Sequence, residues 1–244
     1  MQGNVHLCSR FPVLNEESGV LTIIMAELYF SKLRPNFLPD EWICRSEVWD
    51  KDLRFEKGER IQLHGPSGRG KSTALKILFG LEHQFSGEVR CGEQSVIRAG
   101  TPPAEHLPRR RSGFSAVFQA FYLFSHLTGW ENLQTLPPPA SGDRPSLSRE
   151  RLHQFAGDLN LADILDRSTE HYSPGQKQRL ALLRAIARPF DWLLLDEPFS
   201  HIDEANVRTA IEVIEAALTH YQAGLFITSL NAEPQLPGVR GLAI

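Results

Sequence analysis

One stretch constrains this chain more than any other: Gly65-Pro66-Ser67-Gly68-Arg69-Gly70-Lys71-Ser72-Thr73. It satisfies G-x-x-x-x-G-K-[ST], the spacing that lets a loop wrap a phosphate. Its surroundings agree, with an apolar run at 60–64 leading in and the helical pattern Thr73-Ala74-Leu75-Lys76-Ile77-Leu78 leading out. The residue types follow from the chemistry. Glycines let backbone N–H groups come close to phosphate oxygens. A helix N-terminus adds partial positive charge. Lys71 is placed to put a cation on β- and γ-phosphates, and the Ser72 hydroxyl to ligate Mg²⁺.

A strand–loop–helix of this kind needs a sheet around it. Short apolar runs at 60–64, 115–118, 192–195 and 225–228 are bounded by turn residues, as strands covered on both faces of a parallel sheet are. Helical patterns fall between them, at about 71–80, 177–188 and 203–220. The alternation predicts an α/β architecture. The 244 residues, 41% of them hydrophobic, suffice for one large domain or a core plus a subdomain. The stretch 119–172 breaks the alternation. It carries Phe121, Tyr122, Phe124 and Trp130, a Pro/Gly-rich loop at 136–143, and a helical segment from Ser148 to about Leu159. There Ser148 suits the N-cap and Glu150 the first turn. This stretch reads as an inserted helical subdomain. Residues 1–24 carry little pattern and read as an N-terminal extension, since Met25-Ala26-Glu27-Leu28 resembles a start.

The run Trp192-Leu193-Leu194-Leu195 ends in Asp196 and Glu197. Ligands bind at the carboxyl ends of strands in open parallel sheets. Two carboxylates there, beside a phosphate loop, predict a hydrolytic site. Asp196 holds Mg²⁺ directly or through water, and Glu197 orients and deprotonates the attacking water.

Charge and cysteine usage exclude other classes. A net charge of −3 argues against nucleic-acid binding through a broad basic surface, and the basic run 109–111 reads as a solvated face. Cys8, Cys44 and Cys91 are odd in number and widely spaced, without metal-ligand spacing, which suits a reducing cytosol. The apolar stretch 20–26 is too short to span a bilayer. Any membrane spans are expected from another chain.

Further motifs narrow the class. Tyr172-Ser173-Pro174-Gly175-Gln176 lies ahead of a helix and of Asp196, Gln119 ends the run 115–118, and Ser200-His201-Ile202-Asp203 follows the acidic pair. In this order they resemble the signature, Q-loop and D-loop of the ATP-binding cassette (ABC) family, over about residue 26 to the C-terminus. The resemblance implies a P-loop core with a parallel sheet, a small β subdomain, and an inserted helical subdomain at about 120–176 of a cassette spanning 25–244. It also implies ATP and Mg²⁺ as cofactors and a head-to-tail dimer, homo- or heteromeric. Each ATP is then sandwiched between residues 65–73 of one subunit and Ser173, Gly175 and Gln176 of the other. Gln119 is expected to sense Mg²⁺ and couple the site to a membrane partner, and Asp203 to lie at the dimer interface.

Three positions depart from the family pattern. Pro174 stands where glycine is usual, which is compatible with a helix because proline suits the first helical position and leaves Ser173 as N-cap. Ser229 stands where a histidine normally reaches the γ-phosphate, which implies slow or differently organised hydrolysis. The aromatic expected to stack on adenine is Phe37 or Trp42, with Phe37 placed first because residues 26–32 resemble the strand that precedes it. Segments 109–114 and 126–133 resemble cassettes of the lipoprotein-release, macrolide-efflux and cell-division type.

The expected function is therefore the ATP-hydrolysing subunit of an ABC transporter. It is expected on the cytoplasmic face of the cell membrane, with a separate permease and no nucleic acid. The alternative is a regulatory module that binds ATP, hydrolyses little, and signals through a partner.

Overall fold

The computed structural model describes residues 27–91, 94–99, 113–135, 145–230 and 236–244. The N-terminal extension, the apolar stretch 20–26, the basic run 109–111 and the loop 136–143 lie outside the described residues.

Two sheets carry the fold. The first is antiparallel, in the order β2 (Asp52–Phe55), β1 (Leu28–Pro35), β4 (Phe85–Cys91), β5 (Gln94–Arg98). The second is parallel, in the order β6 (Phe114–Val117), β7 (Trp192–Asp196), β8 (Gly224–Ser229), β3 (Arg60–His64), β9 (Arg240–Ala243). The four strands expected from apolar runs are four of these five. Every residue of β7 and β8 is buried, because the sheet is covered on both faces. Side chains alternate along the strands. Leu193, Leu195, Leu225 and Ile227 enter one cluster, and Trp192, Leu194 and Phe226 enter another.

The first cluster packs against helices α5 (Pro174–Ile186) and α6 (Glu204–Tyr221). The second holds α2 (Lys71–Phe79) and the antiparallel sheet. Phe55 lies edge-on between Phe30 and Phe226, with ring centroids 4.8 and 5.0 Å away. The two sheets thus share one core. The helix α1 (Asp40–Arg45) follows β1. Between β6 and α5, the described residues form α3 (Gly129–Gln134), α4 (Arg149–Asp158) and two 3₁₀ turns, Ala162–Ile164 and Thr169–His171.

Local rules account for the helix ends. Ser148 caps α4 by accepting from Arg151 N–H. Thr128 and Glu131 form a reciprocal capping box on α3. The segment 126–133 also supplies Asn132, fully buried, which bonds Phe124 N–H and the carbonyls of Phe124 and Thr128. Asp203 caps α6 by accepting from Asn206 N–H, a role in its own subunit that the motif comparison did not anticipate. Among the described residues no helix is long and apolar enough to cross a membrane.

Candidate functional site

The phosphate loop follows β3 and ends at Gly70, whose φ of +98° is open to glycine at little cost. A Cβ there would meet the Trp49 ring at 2.9 Å and Leu38 at 3.0 Å. Trp49 is wholly buried and donates its indole N–H to Arg69 O at 3.2 Å. This tryptophan is the floor of the loop. Its only sequence signal was its apolar bulk.

Lys71 begins α2 and turns its ammonium back into the loop, donating to Gly65 O at 2.6 Å and Pro66 O at 3.0 Å. Burial pushes its pKa down, and the carboxylates of Glu197 and Asp196 partly oppose that shift. Lys71 thus sets a cation at the N-terminus of α2, and both the ammonium and the helix end favour an anion there.

The acidic pair lies against the loop. Ser72 donates its hydroxyl to Asp196 Oδ1 at 2.8 Å, and Thr228 of the neighbouring strand donates to the same oxygen at 2.9 Å. Glu197 N–H donates to Thr228 Oγ at 2.9 Å, and Gln119 Nε2 donates to Glu197 Oε2 at 3.2 Å. Lys71, Ser72, Gln119, Asp196 and Glu197 are therefore gathered beyond the carboxyl ends of β3, β6 and β7, where open parallel sheets bind ligands. Thr228 was read from sequence only as part of a strand. Parallel register pairs it with Asp196, and that pairing makes it a member of the site.

Ser72 and Asp196 offer a hydroxyl and a carboxylate. These hard oxygen donors suit Mg²⁺, which typically takes one or two protein ligands and completes its shell with phosphate and water.

Other expected residues fall elsewhere. Ser173 is the N-cap of α5, with Pro174 at the first helical position. Its hydroxyl accepts from Gln176 N–H at 3.2 Å, and Gln176 Oε1 accepts from Ser173 N–H at 2.8 Å. Gln176 is thus half of a capping box. The helix starts at 174, at the position that the Ser173 N-cap implies and three residues before the helical pattern at about 177–188. Ser173 is exposed, and no acidic residue occupies the first turn, so this helix end faces solvent as a positive pole.

Phe37 is 50% exposed on the turn after β1. Trp42 lies on α1 with the Arg69 guanidinium 4.3 Å from its ring centroid, which sets that indole directly beside the phosphate loop.

Ser229 ends β8 and is 3% exposed. Strand alternation puts it with Ile227 on the face away from Thr228. Its hydroxyl accepts from Gln62 Nε2 at 3.1 Å, and Gln62 is itself 1% exposed. A glutamine in the middle of an apolar strand is the sequence signal for this pair.

The segment carrying Gln119 is held by α5. Arg184 donates to Tyr122 O at 2.7 Å and Phe121 O at 2.8 Å. Tyr122, 62% exposed, and Phe124, 49% exposed, project from it.

A doubly covered parallel sheet with a phosphate loop and an acidic pair together at the carboxyl ends of its strands defines a P-loop nucleotide-binding protein. The family model described as ABC transporter matches residues 49–200, more than half of the sequence, and the chain belongs to that family. It is similar to a thiamine import ATP-binding protein of Vibrio parahaemolyticus, 36% identical over 67% of this chain and 66% of the relative. It is 41% identical to a sulfate/thiosulfate import ATP-binding protein of Salmonella typhi over 65% of this chain and 42% of the relative. It is 38% identical to a maltose/maltodextrin import ATP-binding protein of Escherichia coli over 67% of this chain and 42% of the relative. These matches span between 42% and 66% of the relatives' own lengths. Among solved structures, a bacterial Atm1-family ABC exporter with ATP bound shares the fold, with a TM-score of 0.65 and 20% identity over 86% of this chain and 35% of that one.

Proposed function

We propose that this chain is the ATP-binding and ATP-hydrolysing subunit of an ABC transporter. It acts as a nucleotide-sandwich dimer on the inner face of the membrane, coupled to a separate permease. The observation that carries this reading is the contact between Ser72 and Asp196 at 2.8 Å. That contact joins the phosphate loop to the acidic pair in one site.

In this reading residues 65–73 wrap the ATP phosphates, and Lys71 contributes the cation. Mg²⁺, held through Ser72 and Asp196 with Gln119 nearby, would neutralise charge on the β- and γ-oxygens. Glu197 orients the attacking water and accepts its proton. Phe37 or Trp42 stacks on adenine, and Trp42 has the closer tie to the loop through Arg69. Ser173, Gly175 and Gln176 meet the γ-phosphate held by the other subunit. The exposed positive end of α5 supports that role. Tyr122 and Phe124, beside Gln119, form the apolar surface that meets the permease. The import functions named for the relatives support transport as the process served.

The test is Glu197→Gln. This variant keeps the side chain's shape but cannot accept a proton. It should bind ATP, lose hydrolysis, and elute as a dimer with ATP on gel filtration. Undiminished hydrolysis, or a monomer only, would count against the reading.

One observation favours a second reading, a regulatory module with little hydrolysis. Ser229 stands at the histidine position with its hydroxyl engaged by Gln62. Steady-state turnover measured with the partner present separates the two.

A further inference from the structure

Glu197 has a left-handed backbone, φ +48°, which a side chain-bearing residue rarely adopts without support. Here the support comes from both sides of the residue. Its N–H donates to Thr228 Oγ on β8, and its C=O accepts from Gln178 Nε2 at 3.2 Å.

Gln178 lies at the start of the second turn of α5 and is 1% exposed. Its other contacts reach the same turn of chain. Nε2 also donates to Ser200 Oγ at 3.3 Å, and Oε1 accepts from His201 N–H at 2.8 Å. One buried amide thus uses both of its donors and its acceptor to bind residues 197–201. One turn earlier on α5, a Cβ on Gly175 would stand 2.6 Å from His201 O, so helix and turn are in direct contact there too. His201 is thus bonded to Gln178 through its N–H and packed closely against Gly175 at its O. These contacts tie the beginning of α5 to the turn bearing Glu197.

We propose that Gln178 is a positioning residue that sets the aim of the Glu197 carboxylate. Through it, the seating of the N-terminus of α5 is transmitted to Glu197 of the same chain. The inference rests on the reading of Glu197 as the base.

The experiment compares wild type, Glu197→Gln, Gln178→Met and Gln178→Glu in ATP titration and steady-state hydrolysis, with melting curves. Methionine is close in size and removes both donors. Gln178→Met should fold, keep ATP affinity and KM within about twofold, and lose at least tenfold in kcat. Gln178→Glu retains the acceptor for His201 but turns an oxygen toward Glu197 O. Its kcat relative to wild type should be lowest at neutral pH and recover as acid restores a donor to the carboxyl. If Gln178→Met does not fold, Gln178→Glu carries the test through that recovery. Gln178→Met at wild-type kcat overturns the inference. So does a loss of kcat matched by an equal loss of ATP affinity, or a kcat ratio for Gln178→Glu that is flat with pH. A wild type that does not hydrolyse ATP, or a Glu197→Gln variant that hydrolyses normally, overturns instead the functional reading on which the inference stands.

Discussion

Ser229→His tests whether the histidine position is merely vacant or has been rebuilt. The substitution puts an imidazole at a site only 3% exposed, whose hydroxyl lies 3.1 Å from the amide of an equally buried Gln62. The space a ring needs is the space that amide fills. Overpacking a filled site costs about 1–3 kcal/mol, and losing the amide–hydroxyl bond costs about 1 kcal/mol more. At about 2–4 °C per kcal/mol for a chain of this size, a loss of about 2–4 kcal/mol lowers the melting temperature by roughly 4–16 °C. The single variant should therefore melt earlier and hydrolyse no faster. Adding Gln62→Val removes the amide, and the double variant should regain much of the lost stability. The two substitutions are then coupled, by about 0.5–3 kcal/mol in a double-mutant cycle. If the freed imidazole reaches the γ-phosphate more strongly in the transition state, a charged hydrogen bond of about 1.5–3 kcal/mol corresponds to roughly ten- to hundredfold in kcat. The assays are thermal melting and steady-state hydrolysis on all four proteins. A single variant that melts with wild type, or a double variant whose loss is the sum of the two single losses, would refute the claim that Gln62 fills the position.

Three further outcomes follow from the geometry. Lys71→Ala removes the buried cation from the loop and should weaken ATP binding by about ten- to a hundredfold for each charged hydrogen bond lost, with the protein still folded; unchanged affinity in a titration contradicts the assignment. Ser173→Arg should leave ATP binding to the monomer nearly intact while blocking dimer closure and turnover, and a loss of binding as severe as that of Lys71→Ala would remove Ser173 from the dimer face. Burial pushes the Tyr172 phenol from 10.0 up to about 12; the unfolded chain thus ionises first, and the resulting stability is full below pH 10 and fades as pH rises to about 12. Tyr172→Phe should reduce the alkaline loss of stability in that window, measured as denaturation midpoints at both ends, and an unchanged slope would discount the buried phenol.

The sequence by itself determined the parts whose physics is local. A phosphate loop needs only contiguous glycines, one lysine and one hydroxyl residue between a strand and a helix, so residues 65–73 were legible without neighbours. The buried strands were legible because a sheet covered on both faces needs unbroken apolar runs. The caps at Ser148 and Ser173 were legible because a hydroxyl and an N–H three residues on make the bond. Asp196 and Glu197 were recognisable from their place at a strand end. Tertiary structure decided which distant residues complete the site. Thr228 meets Asp196 through parallel register, Gln178 meets Glu197 because α5 lies against that turn, Trp49 supports the loop from below, and Gln62 fills the space beside Ser229. These contacts join residues between 19 and 167 positions apart in the chain, so no local spacing encodes them. Each depends on a side chain whose type, read alone, is ordinary for a strand or helix. Only the packing of the two faces of the sheet places those side chains against the phosphate loop and the acidic pair.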